Sequence, residues 1–146
     1  MRNIIPIIVI ALFSVFSCTT GTSGEKNSAS ANVEQKDGLK IYAFHGTRQC
    51  ETCKHMKSYT KSTLDKYFKD ELKSGAIVYQ VVDVDDESNY ELAEKFEATG
   101  TALMINKVEN GKDQITDWSN FAFEFANGDQ TAFEKELEKM IQEKLN

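Results

Sequence analysis

Cys50-Glu51-Thr52-Cys53 places two thiols three residues apart. The pair stands where a strand-like run (residues 39–44) gives way to a helix-like run (residues 54–73). At the start of a helix, both thiols can face one side. The first turn carries unpaired N–H groups and partial positive charge, which favour a thiolate over a thiol. Cys50 is therefore the expected nucleophile, with a pKa below that of a free thiol. Cys53, one turn further on, is placed to resolve a mixed disulfide. The pattern is that of a redox dithiol. Zinc sites use the same spacing, so the spacing alone does not decide between them.

Charged neighbours tune the pair. Arg48 and Lys54, with Lys57 beyond, favour the thiolate, whereas Glu51 opposes it by like charge. The two histidines of the chain, His45 and His55, flank the motif closely. With Cys50 and Cys53 they make a second donor set, suited to Zn(II) or Cu(I). In a helix, however, His55 lies about 200° around from Cys53, a poor position for joint chelation. The metal reading is therefore the minor one, and no metal is expected.

The elements that must position these groups follow from periodicity. Residues 39–44 read as a buried strand. Residues 54–73 carry Met56, Tyr59, Thr63, Leu64, Tyr67, Phe68 and Leu72 at helical spacing, and Ser74-Gly75 ends that helix. Residues 76–84 are mostly apolar, as a central strand should be. The acidic cluster 85–89 reads as a strand end and a helix N-terminus, where acids are favourable. A helix over 90–98 and a buried strand over 102–105 come next. Asn110-Gly111 signals a hairpin, with the returning strand over 114–118. Phe121, Phe123 and Phe125 alternate at strand period, which places them on one face and more readily in the core than on a binding rim. Asp129 caps a last helix over 130–145. No internal repeat appears.

The chain has 146 residues and a formal net charge of −6. An acidic balance argues against nucleic-acid binding, which needs a basic face. Met1-Arg2-Asn3 and the apolar run 4–16 read as a signal peptide over residues 1–17, too short for a comfortable membrane span. Val15-Phe16-Ser17-Cys18 resembles a bacterial lipobox, which implies lipidation at Cys18. Acyl chains would anchor the domain to a membrane without spanning it. Residues 18–37 then form the lipidated N-terminus and a polar, flexible tether. Residues 38–146 form one domain, in which Cys50 and Cys53 are the only thiols.

The order β-α-β-α-β-β-α, with the dithiol after the first strand, resembles the thioredoxin fold over residues 38–145. That resemblance implies an α/β architecture of three layers, a central mixed β-sheet flanked by helices. More closely, the approach His45-Gly46-Thr47-Arg48, the cysteines with Lys54, and Gly100-Thr101-Ala102-Leu103 resemble the thioredoxin-like lipoproteins labelled nitrophenyl compound nitroreductase subunit (ArsF-like). Three departures from the thioredoxin pattern stand out. The domain has no proline, so Ala102, after Thr101, takes the place of the cis-proline, and Thr101 and Ala102 are the expected substrate-groove residues. The buried carboxylate of the preceding strand is replaced by Ala43 or Phe44. Gln49 replaces the aromatic residue before the first cysteine.

The resemblance implies an envelope thiol–disulfide oxidoreductase, acting as a reductant on protein thiol or disulfide partners from a lipid anchor facing the periplasm. The alternative is a non-catalytic thioredoxin-like lipoprotein that binds a metal or docks a partner. No dinucleotide fingerprint is present, and no cofactor is expected.

Overall fold

In a computed structural model, residues 36–146 are described. The segment read as a signal peptide (residues 1–17), Cys18 and residues 19–35 of the expected tether lie outside the described residues. Four strands, β1 (Gly38–His45), β2 (Ile77–Asp83), β3 (Ala102–Glu109) and β4 (Lys112–Asp117), form one sheet in the order β2-β1-β3-β4. β1 and β2 run parallel, and the other pairs are antiparallel. The parallel pair requires a crossover. It is supplied by α1 (Glu51–Tyr67) and α2 (Lys69–Ser74). A single 3-10 turn (Glu87–Asn89) and α3 (Tyr90–Lys95) connect β2 to β3, and α4 (Ser119–Ala126) and α5 (Gln130–Leu145) follow β4. This strand order, with Cys50 capping α1 and Cys53 in its first turn, is the thioredoxin-like arrangement.

Side-chain alternation along β1 builds two cores. Leu39, Ile41 and Ala43 point to one face, where they meet Leu103 and Ile105 of β3. Met56 and Leu64 of α1, Ala122 and Ala126 of α4, and Phe133, Leu137 and Ile141 of α5 cover that face. Tyr42 and Phe44 point the other way, onto Met104, Ala93 and Phe96. Each fully buried Leu, Ile or Phe contributes about 1.5–3 kcal/mol. Two helix-covered faces thus hold the C-terminal end of β1, where the dithiol begins, in fixed register.

The structure departs from the periodicity reading in four places. The helix expected over 54–73 begins at Glu51 and breaks at Phe68, whose backbone leaves the helical region and whose ring is buried. β2 is an edge strand and not a central one, which leaves Val78 and Val81 exposed. The helix expected to reach residue 98 stops at Lys95, and Glu97 takes a positive φ of 52° that turns Ala98 back into the core. The fourth departure is α4, which stands where alternating phenylalanines suggested a strand. Its fully buried positions are Ala122 and Ala126, four apart, while Phe121 and Phe125 share the flank and Phe123 is exposed. The helical period won because small alanines let α4 approach the sheet and α1 closely.

Other punctuation is as read. Asn110 and Gly111 take φ values of 54° and 71° in the β3–β4 hairpin, the left-handed pair that a tight hairpin needs. Asp37, just before β1, accepts backbone N–H groups of both Asn110 and Gly111. The Asp129 side chain accepts the Thr131 N–H and caps α5.

Glu134 locks α5 to α1. Its buried carboxylate accepts from Ser62 (2.6 Å) and Gln130 (2.6 Å) and pairs with Lys66 (3.2 Å). Hydrogen bonds from Ser62 and then Gln130 hold its pKa below the ordinary 4.5. A depressed folded-state pKa stabilises the fold above the ordinary value, and that contribution is lost as pH falls through the depressed one. Glu134→Gln should therefore cost about 1–2 kcal/mol near neutral pH. Urea unfolding of wild type and variant should show that gap narrowing as pH falls below the ordinary glutamate value.

Candidate redox site

The loop 46–49 carries the chain from β1 to α1, and Cys50 is the N-cap residue of that helix. The Cys50 backbone is extended (φ −75°, ψ 166°), and its sulfur accepts the Cys53 N–H at 3.1 Å. A sulfur in this position occupies the site that Ser or Asp fills in an ordinary cap. Cys50 and Cys53 are joined as a disulfide, with Cα atoms 5.0 Å apart. Cys50 is exposed, whereas Cys53 is only 7 % exposed. An incoming thiolate can therefore reach Cys50, while Cys53 is shielded.

The charged neighbours are arranged less simply than their order suggests. Lys54 and Glu51 pair with each other at 2.7 Å, both exposed to solvent. The hydrogen bond from Lys54 holds the Glu51 carboxyl below its ordinary range. Each offsets the other's field at the dithiol. Arg48 is exposed in the approach loop. Lys57 is part-buried and donates to Oε1 of Gln49. An ammonium group can only donate, so the Gln49 amide must turn its Nε2 toward His45, whose Nδ1 lies 3.3 Å away. In that arrangement Nδ1 accepts, and the neutral ring carries its proton on Nε2. The alternative contact of Nδ1 to the Gly46 carbonyl, at 3.0 Å, requires the proton on Nδ1 instead.

His55 is committed elsewhere. Its Nδ1 lies 3.1 Å from the Ala126 carbonyl and must donate there, and its ring stacks on Tyr59 with centroids 5.1 Å apart. One turn earlier, the Thr52 hydroxyl donates to Oδ1 of Asn127. The C-terminal end of α4 is thus tied to the first turns of α1. Among the described residues, no three His, Cys, Asp or Glu side chains are grouped to hold a metal ion. The set His45, Cys50, Cys53 and His55 is not assembled as one donor cluster.

Ala102, at the start of β3, is buried and pairs with Phe44 at the end of β1, and half-buried Thr101 precedes it. Both therefore sit at the sheet end from which the dithiol loop departs. Ala43 and Phe44 are fully buried at the carboxylate position, so that strand places no titratable group beneath the motif.

Asp85 also reaches the site, although its place in the chain does not mark it. Read as part of a strand end, it accepts both the backbone N–H and the hydroxyl of Thr47, each at 2.7 Å. Those two bonds hold its carboxyl below the ordinary range. A Cβ on Gly46 would come within 3.2 Å of the same carboxylate, so glycine lets the loop pass close to it. The one available sequence signal was the parallel pairing of the first two strands, which brings the residues after β2 beside those after β1.

Comparison with solved structures gives similar chains at low identity. A thioredoxin from Thermus thermophilus shares 19% identity at a TM-score of 0.43, covering 71% of this chain and 74% of that one. A structure described as a malarial protein shares 18% identity at a TM-score of 0.38, covering 60% of this chain and 93% of that one. No family model and no curated protein matches the chain.

The difference in exposure between the two sulfurs predicts the order of labelling. After reduction, substoichiometric iodoacetamide should modify Cys50 well before Cys53, as read by peptide mass mapping.

Proposed function

We propose that this protein is a thioredoxin-like thiol–disulfide oxidoreductase whose working couple is Cys50–Cys53. The observation that carries the reading is the pairing of an exposed N-cap sulfur with a shielded partner in one disulfide. In the reducing direction, the Cys50 thiolate attacks one sulfur of a substrate disulfide. A mixed disulfide forms, and the other substrate sulfur leaves as a thiolate and takes up a proton. Cys53 loses its proton and attacks Cys50, which releases the second substrate thiolate and closes the disulfide seen here. Two electrons pass to the substrate, and a thiol donor must then reduce Cys50–Cys53 again.

Several finer points belong to the proposal. The partner is a protein thiol or disulfide. Thr101 and Ala102 line the groove that receives it, and their position at the sheet end beside the loop supports that role. Arg48, Lys54 and Glu51 tune the thiolate. Lipid attached at Cys18 tethers the domain to the bacterial envelope, facing the periplasm, where disulfide chemistry is permitted. Among the described residues, no helix is long and apolar enough to cross a membrane. The approach sequence and its cysteines support kinship with the ArsF-like lipoproteins, and the proposed activity is thiol–disulfide exchange, not nitroreduction.

Trapping tests the order of attack. Cys53→Ser, mixed with a disulfide-linked peptide, should accumulate a mixed disulfide through Cys50, and Cys50→Ser should accumulate none. Mass spectrometry of the unreduced products reads both. Absence of the adduct in Cys53→Ser would contradict the assignment.

A further inference from the structure

Two elements outside the dithiol hold the loop that delivers Cys50. From the end of β2, Asp85 binds Thr47 through two 2.7 Å hydrogen bonds. From the second turn of α1, Lys57 binds Gln49, the residue before Cys50. We propose that Asp85 and Lys57 are positioning residues: they clamp loop 46–49 at both ends, keep the Cys50 sulfur at the N-cap of α1, and so set its nucleophilicity in the reduced protein. The inference deepens the redox reading of the pair and rests on it.

Both anchors are themselves held. The Lys57 carbonyl accepts the Tyr79 hydroxyl at 3.1 Å, which fixes that turn of α1 to β2. The Val84 N–H donates to the His45 carbonyl at 2.8 Å, which joins the root of the loop to the segment bearing Asp85. Glycine at position 46 lets the loop approach that carboxylate. A four-residue loop with a partner at each end has little freedom to carry Cys50 away from the cap. Without the clamp, the sulfur would leave the Cys53 N–H and the positive end of the helix, and both of those stabilise a thiolate.

Charge and positioning make opposite forecasts at Asp85. The charged or titratable groups around the loop and the first turns of α1 are His45, Arg48, Glu51, Lys54, His55, Lys57, Tyr59, Tyr79, Asp83 and Asp85. Removing the negative charge of Asp85 would, by electrostatics alone, favour the Cys50 thiolate and speed its reaction. Loss of the clamp would slow it. Gln49→Ala breaks the second anchor while leaving the Lys57 charge and every buried side chain in place.

The test uses the full chain, reduced, in wild type, Asp85→Ala and Gln49→Ala. Iodoacetamide labelling of Cys50 is followed against pH by peptide mass mapping, beside a thermal melt of each protein. The midpoint of the labelling profile should rise by about half a pH unit in each variant, and the rate near neutral pH should fall about threefold. A midpoint unchanged in both variants, or lowered in Asp85→Ala, would overturn the proposal. A merely structural role would lower the melting temperature without moving the midpoint, which is also an overturning result. Labelling does not depend on disulfide exchange. If the wild-type pair failed to exchange with thiols, the redox reading would fall while this measurement still reported on the clamp.

Discussion

The contact on which the site depends is the hydrogen bond from the Cys53 N–H to the Cys50 sulfur. It makes one cysteine the cap of α1, so the sulfur rests where the helix presents N–H groups and partial positive charge. The same contact sets the contrast between the two thiols. A cap lies outside the helix barrel and is open to solvent. The residue three positions on lies at the start of the buried stripe that continues through Met56 to Thr63 and Leu64. Exposure of Cys50 and shielding of Cys53 are thus two results of one local geometry.

The sheet explains why that cap is where it is. β1 is interior, flanked by β2 and β3, and buried on both faces. Parallel pairing of β1 with β2 sends both chains out at the same end, so the loop into α1 and the acidic turn after β2 emerge side by side. Asp85 meets Thr47 there. Antiparallel pairing of β3 with β1 brings Thr101 and Ala102 to that end as well. The remaining side is closed by α4, whose last residues bond to Thr52 and His55 of α1. The turn after β2 and the start of β3 thus lie at the sheet end from which α1 departs, and the end of α4 bonds to the first turns of that helix.

Much of this was legible in the residues. The apolar run before the cysteines, the stripe after them, Gly75, Asn110-Gly111 and Asp129 marked elements whose local chemistry leaves little choice. What was not legible depended on contacts across the chain. Phe121, Phe123 and Phe125 fit a strand by alternation, and only packing of Ala122 and Ala126 against the core selects the helix. The valines at 78 and 81 looked like the interior of a sheet, but strand order, which the sequence does not encode locally, puts them on the edge. Asp85 looked like a helix-start acid because its partner is 38 residues away. Lys54 pairs with Glu51 beside the dithiol, and the part-buried Lys57 is the cation bound to the loop, a contact that residue order does not reveal.

The proposed function requires that Cys50–Cys53 be a reversible two-electron couple. The most direct measurement is a redox titration of the protein against glutathione buffers, with the thiols of Cys50 and Cys53 counted by mass mapping after quenching. Both thiols should appear together in a single transition, with a midpoint near the thioredoxin range of roughly −270 mV. A pair that stays locked in one state throughout the buffer range would contradict it, and a midpoint near about −120 mV would contradict the reducing direction.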